Sequence, residues 1–226
     1  MGSAKYATVE GIRKKVATRE GISPASLYTT LYRLRGSNQL FDAGRRWYST
    51  IPEAFRPEYE PVIAIARDVE SRFPLLRFSI WSNEQLQPYA HHLLGKFSTF
   101  LYTDSDAIQP VTEFLQSRNY AAYPNPRQSD VDRYIKAFDR RIIVRQSITE
   151  APVKDHFAEI EKILIDLYLE KDRLDLLDLA EYRRIFENVV FSHRINMGSL
   201  SRYAARRKIK NRILNLCSDY EHLIIG

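Results

Sequence analysis

Between residues 57 and 145, short apolar runs alternate with amphipathic stretches of about ten residues, and this alternation constrains the fold more than any other feature of the chain. Leu75–Trp81, Phe97–Tyr102, Tyr120–Tyr123 and Arg141–Arg145 read as strands. Pro57–Arg72, a Ser82-capped stretch running to Leu94, Ile108–Ser117 and Asp130–Ala137 read as the helices between them. Strands separated by helices of that length are not joined as hairpins; they form βα units in a mixed or parallel sheet. After Pro152 the strand pattern stops. His156–Lys171, Leu176–His193, Met197–Lys208 and Arg212–Tyr220 all read as helices.

Ahead of this body lies a small module of different grammar. Ser23 can cap a helix, and Pro24 suits its first position because the missing N–H would be unpaired there anyway. Leu27, Leu31 and Leu34 then fall on one face, which turns Ala25, Ser26, Thr29, Tyr32 and Arg33 outward. Upstream, Val9, Ile12, Val16 and Ala17 mark another short helix, with a Glu20-Gly21 turn between the two. Downstream, Leu40-Phe41 and Trp47-Tyr48-Ser49 read as two short strands around the tip Asp42-Ala43-Gly44-Arg45-Arg46. Helix, turn, helix and basic hairpin together predict a winged helix-turn-helix. The expected architecture is therefore α/β: a winged helix over 1–50, a linker at 51–57 broken by Pro52 and Pro57, and an α/β body over 58–226 ending in helices.

Charge is distributed unevenly. Thirty-four lysines and arginines against 28 aspartates and glutamates give a net +6. Residues 1–50 alone hold nine bases and three acids, again +6. A helix whose outer face is small, hydroxylated and basic suits the DNA major groove. The candidate contacts are Ser26, Thr29, Thr30, Tyr32 and Arg33 on that helix, with Arg45 and Arg46 of the hairpin on phosphate or minor groove. A second basic run, Arg194 to Arg212, could hold a nucleic-acid backbone or an acidic protein. Pairing with the ten acids of residues 155–187 is the preferred reading, and those acids otherwise read as a solvated face.

Several classes are excluded, and candidate chemical centres are weak. A single cysteine, Cys217, rules out a disulfide scaffold or thiolate zinc site and fits a reducing cytosol. No apolar run reaches the ~18 residues a membrane span needs. Met1–Lys5 does not read as a secretory signal and could be an expression scar. The expected location is the cytoplasm. Asp104-x-Asp106, with Gly95 and Ser98 upstream, faintly resembles a nucleotidyltransferase magnesium site, but loop capping explains it better. Asp104, Glu113 and Asp139 could serve a nuclease, yet the accompanying carboxylate-x-lysine strand is missing. His91 and His92, placed on one helix, would diverge by about 100° and could not share a metal. His156, His193 and Cys217 read as surface or core residues. Tyr28, Tyr32, Trp47 and Tyr48 could stack on bases, though such aromatics usually build a module's core. No catalytic residue, metal or cofactor is expected.

Residues 21–34 (Gly-Ile-Ser-Pro-Ala-Ser-Leu-Tyr-Thr-Thr-Leu-Tyr-Arg-Leu), closing in Gly-Arg-Arg-Trp-Tyr at 44–48, resemble the N-terminal winged helix of AbiEi-type antitoxins. Ile160–Leu167 is similar to that family's Pro-Glu-Arg-Thr-Leu-x-Asp helix. Met197–Arg206 is similar to its C-terminal Leu-x-x-Tyr-Ala-x-Arg signature, without the closing Gly-Leu-Leu. The resemblance implies an autorepressor that binds double-stranded DNA at its own promoter. It also implies an antitoxin of a type IV abortive-infection system that counters a nucleotidyltransferase-like toxin without a stable complex. The alternative is a metal-dependent nuclease or nucleotidyltransferase targeted by the winged helix.

Overall fold

The computed structural model describes residues 4–20, 23–92, 94–133, 139–218 and 224–225. Gly21 and Ile22 of the N-terminal signature lie outside them, as do the second half of the Asp130–Ala137 stretch and the end of Arg212–Tyr220. The chain is mixed α/β and divides into two compact units, residues 1–55 with 187–226, and residues 56–186.

The first unit opens with β1 (Tyr6–Thr8), α1 (Val9–Glu20), α2 (Pro24–Gly36), β2 (Phe41–Asp42) and β3 (Trp47–Ser49). β1 pairs antiparallel with β3, and β3 with β2. Strand β1 was not evident in the sequence, because three residues carry no readable alternation. It is nonetheless tied in: Ser49 Oγ donates to Lys5 O at 2.8 Å and Thr50 Oγ1 to Ala4 O at 3.0 Å.

The second unit carries α3 (Glu60–Arg72), β4 (Phe78–Ser82), a 3-10 helix (Asn83–Tyr89), β5 (Phe97–Thr103), α4 (Ile108–Ser117), β6 (Ala122–Pro124), α5 (Gln128–Arg133) and β7 (Arg140–Gln146). Two further short strands, β8 (Val153–Lys154) and β9 (Phe157–Ala158), precede α6 (Ile160–Arg173) and α7 (Leu179–Ser192). The expectation that strands end at Pro152 is corrected by β8 and β9, again too short to show a period. The six-stranded sheet runs β6-β7-β5-β4-β9-β8 with parallel and antiparallel pairs. Ser82 caps as expected, with Ser82 Oγ accepting from Glu84 N–H at 3.2 Å and Gln85 Oε1 accepting from Ser82 N–H at 2.8 Å. The helix it starts stops at Tyr89 rather than Leu94, because Pro88 lacks an N–H and crowds the preceding turn.

The sheet's two faces differ in chemistry. On one, Phe78, Ile80, Leu101, Ile142 and Val144 pack with Val62, Ala66 and Val69 of α3 and Val111 and Leu115 of α4. On the other, Tyr102 and Arg145 meet a polar stripe of α6, and Arg141 Nη2 donates to Leu174 O just past that helix at 3.2 Å. Lys162 Nζ donates to Asp166 Oδ2 and sits 3.4 Å from the Tyr102 ring centroid. Arg145 Nη2 donates to Glu170 Oε2 at 2.8 Å, and Arg141 Nε to Ser98 Oγ at 2.8 Å. Burial draws the Arg141 guanidinium below its ordinary pKa. Glu161, Asp166, Glu170 and Glu181 are all buried, so the acidic segment is in good part interior rather than a solvated face. Burying such charges is tolerated because partners satisfy them.

The chain ends with α8 (Met197–Arg206), α9 (Lys210–Ser218) and β10 (Ile224–Ile225) in the first unit. β10 pairs parallel with β1, Tyr6 against Ile224. Tyr6 Oη also donates to His193 O and accepts from Ile195 N–H, both at 2.9 Å. These bonds explain why residues 187–226 group with the N-terminal module and not, as expected from sequence order, with the α/β body.

Candidate nucleic-acid interface

Helix α2 starts as its sequence dictates. Ser23 is extended (φ −66°, ψ 151°) and its side chain accepts from Ser26 N–H at 3.2 Å, with Pro24 in the first turn. Leu27 and Leu31 are buried and Leu34 half-buried. Ser26, Thr29, Tyr32 and Arg33 are exposed, and Thr30 is half-buried on their flank. Thr29 Oγ1 donates to Ala25 O at 3.0 Å and Thr30 Oγ1 to Ser26 O at 2.9 Å. Both hydroxyls thus spend their hydrogen on the helix and present a methyl group and acceptor lone pairs, chemistry suited to a thymine methyl or a base amino group. Tyr32 is 80% exposed and Tyr28 59%, so neither builds the core as such aromatics usually do. Exposed Arg35 extends the outward face beyond the residues expected, and Tyr28, already a candidate for base stacking, joins it; helical spacing around the leucines places both on its flank.

The β2–β3 hairpin turns over Ala43-Gly44-Arg45-Arg46. Ala43 N–H donates to Trp47 O at 3.1 Å, Trp47 N–H to Gly44 O at 2.8 Å and Gly44 N–H to Asp42 Oδ1 at 2.7 Å. Gly44 has φ +104°, and a Cβ there would lie 2.0 Å from Asn196 Oδ1, so glycine is required twice over. Arg46 adopts φ 66°, an uncommon conformation for a side chain of that size. Arg45 and Arg46 are both exposed. Among the described residues, no carboxylate lies within ion-pair distance of Arg33, Arg35, Arg45 or Arg46.

The first unit holds 16 bases and seven acids, net +9, and the second 18 bases and 21 acids, net −3. The two basic runs of the sequence therefore belong to one unit. Not every arginine in them is available. Arg194 Nη1 donates to Ile51 O at 2.9 Å and its Cζ lies 4.8 Å from the Phe41 ring centroid, a structural role.

Elsewhere the candidate centres come apart. β5 and β7 run parallel over seven residues, with Asp139 at one end beside Phe97 and Asp104 at the other beside Ser147. Their separation is on the order of 20 Å, too far for a shared metal. Ser98 is buried against Arg141 while Asp104 and Asp106 are exposed in a turn. His91 and His92 lie beyond the 3-10 helix, not on a helix: their N–H groups donate to Glu181 Oε1 at 2.6 and 3.3 Å, and their rings are 4.6 Å apart. The expected divergence is corrected, yet among the described residues no group of three histidine, cysteine or carboxylate side chains could hold a metal ion. His156 stacks on Phe78 and His193 packs edge-on against Phe55. Burial pushes the Cys217 thiol up to about 12, so it stays protonated at neutral pH. No described helix is long and apolar enough to cross a membrane.

The model of a family described as a family of unknown function (DUF6577) matches residues 26–222 of the chain. No curated protein matches it.

Proposed function

The chain belongs to DUF6577, a family of unknown function; we propose that it is a sequence-specific DNA-binding repressor whose first unit is a winged helix-turn-helix. Strand, two helices and a β-hairpin whose second strand pairs back to the first strand follow the order of that motif. Helix α2 is the recognition helix, with Ser26, Thr29, Thr30, Tyr32 and Arg33 toward bases, and the β2–β3 hairpin is the wing, with Arg45 and Arg46 on phosphate or minor groove. The observation that carries this reading is electrostatic. A net +9 sits on the unit bearing an exposed, carboxylate-free helix face, while the other unit is net negative. Such a field draws a polyanion and orients it.

The likeness of residues 21–48, 160–167 and 197–206 to AbiEi-type antitoxins supports a role as autorepressor and as antagonist of a nucleotidyltransferase-like toxin, without a stable complex. Repression of a reporter driven by the chain's own promoter tests the first part. Wild type should repress it, and Arg33→Ala should lose about 1–3 kcal/mol of operator affinity and its preference at one base pair. Unchanged operator affinity and base preference in that variant would remove α2 as the reading element. Rescue from the toxin of an adjacent gene, with no co-purification of the two proteins, tests the second. The separation of Asp104 from Asp139 disfavours the nuclease alternative.

A further inference from the structure

The tip of the β2–β3 hairpin does not stand free; it is seated on the start of α8. Ala43 O accepts from Gly198 N–H at 3.4 Å, and the tip approaches so closely that a Cβ on Gly44 would meet Asn196 Oδ1 at 2.0 Å. A Cβ on Gly198 would lie 3.0 Å from Arg45 N and 3.4 Å from Arg202 Nη1. The Arg202 guanidinium and the Arg45 backbone are therefore neighbours of one point. Two first-turn amides of α8 are already occupied, Gly198 N–H by Ala43 and Ser199 N–H by the Asn196 cap at 2.9 Å. Arg202 is exposed, its partner is the neutral Ser199 Oγ at 3.0 Å, and among the described residues no carboxylate pairs with it.

From this geometry we infer that α8 is part of the DNA interface: Arg202 is a phosphate-contacting residue that acts with Arg45 and Arg46, and the Asn196–Gly198 seat fixes the hairpin in its contacting position. The inference rests on the DNA-binding reading above and adds to it a contact some 160 residues from the hairpin in sequence. Phosphate, not base, is the ligand chemistry, because Arg202 lies beside the tip and not on the outward face of α2. A side chain at Gly198 would press on the Arg45 backbone at 3.0 Å and displace the hairpin tip by a few tenths of an ångström.

The test uses the full chain and measures affinity for promoter and scrambled duplexes across salt by fluorescence anisotropy. Arg202→Ala should weaken both duplexes by the same factor. One lost phosphate contact should reduce the affinity change between 50 and 200 mM salt by about threefold. Arg202→Lys should restore most of that loss. Gly198→Ala, with a circular dichroism spectrum like that of wild type, should weaken both duplexes as Arg45→Ala does. Wild-type affinity and salt slope in Arg202→Ala, alongside a loss in Arg45→Ala, would overturn the inference and leave DNA binding standing. If the wild-type chain holds neither duplex at 50 mM salt, the DNA-binding reading fails and the inference falls with it.

Discussion

Tyr6 shows how much one side chain fixes in this chain. Its buried hydroxyl joins the N-terminal strand to the segment after α7 through His193 O and Ile195 N–H. Tyr6→Phe keeps the ring but removes both hydrogen bonds, so it should cost about 1–3 kcal/mol, read as a lower urea midpoint with unchanged slope. The buried Lys162–Asp166 pair is a sharper case. Lys162→Met or Asp166→Asn alone removes one charge of this buried pair and should cost about 3–5 kcal/mol. Replacing the pair with Met and Leu together should recover most of that loss in the same denaturation experiment. At Cys217 the folded thiol, held at about 12 against an ordinary value of 9.0, keeps its proton more tightly than the unfolded chain does. Its contribution is fully present below pH 9 and declines as pH rises toward 12. Wild type should therefore lose stability against Cys217→Ala over that window, measured by denaturation at successive pH values.

At the scale of elements, what was legible depended on length and period. The Ser23-Pro24 start and the Leu27, Leu31, Leu34 stripe are local signals, and α2 lies where they put it. Leu31→Ala should cost about 2–5 kcal/mol by opening a cavity beneath α2, checked by thermal denaturation. Helix α4 runs over the expected Ile108–Ser117 for the same reason. Strands β1, β8, β9 and β10 were invisible because two or three residues show no alternation, and the pairing of β1, β9 and β10 is set by distant partners. The polar stripe of α6 read as solvated because its partners, Tyr102 and Arg145, lie on strands far away in sequence. Within the candidate interface, the exposed α2 face and Arg45 and Arg46 were legible from spacing alone. Arg202 was visible in a basic run, but its place beside the hairpin follows from a backbone approach no periodicity encodes.

Across the whole molecule, a modest +6 resolves into two units of opposite sign, +9 and −3. The two basic runs, separated by some 150 residues, converge in one unit because the chain returns to its starting strand through β10. That convergence is the physical basis for reading the first unit as the nucleic-acid partner, and its consequence is a strong dependence of binding on salt. The most direct measurement is anisotropy of a labelled duplex spanning the chain's own promoter, titrated with the full chain from 50 to 200 mM salt. The account predicts tight retention at low salt, a steep linear fall of log affinity with log salt, and weaker binding of a scrambled duplex. Absence of binding to either duplex at 50 mM salt would contradict it.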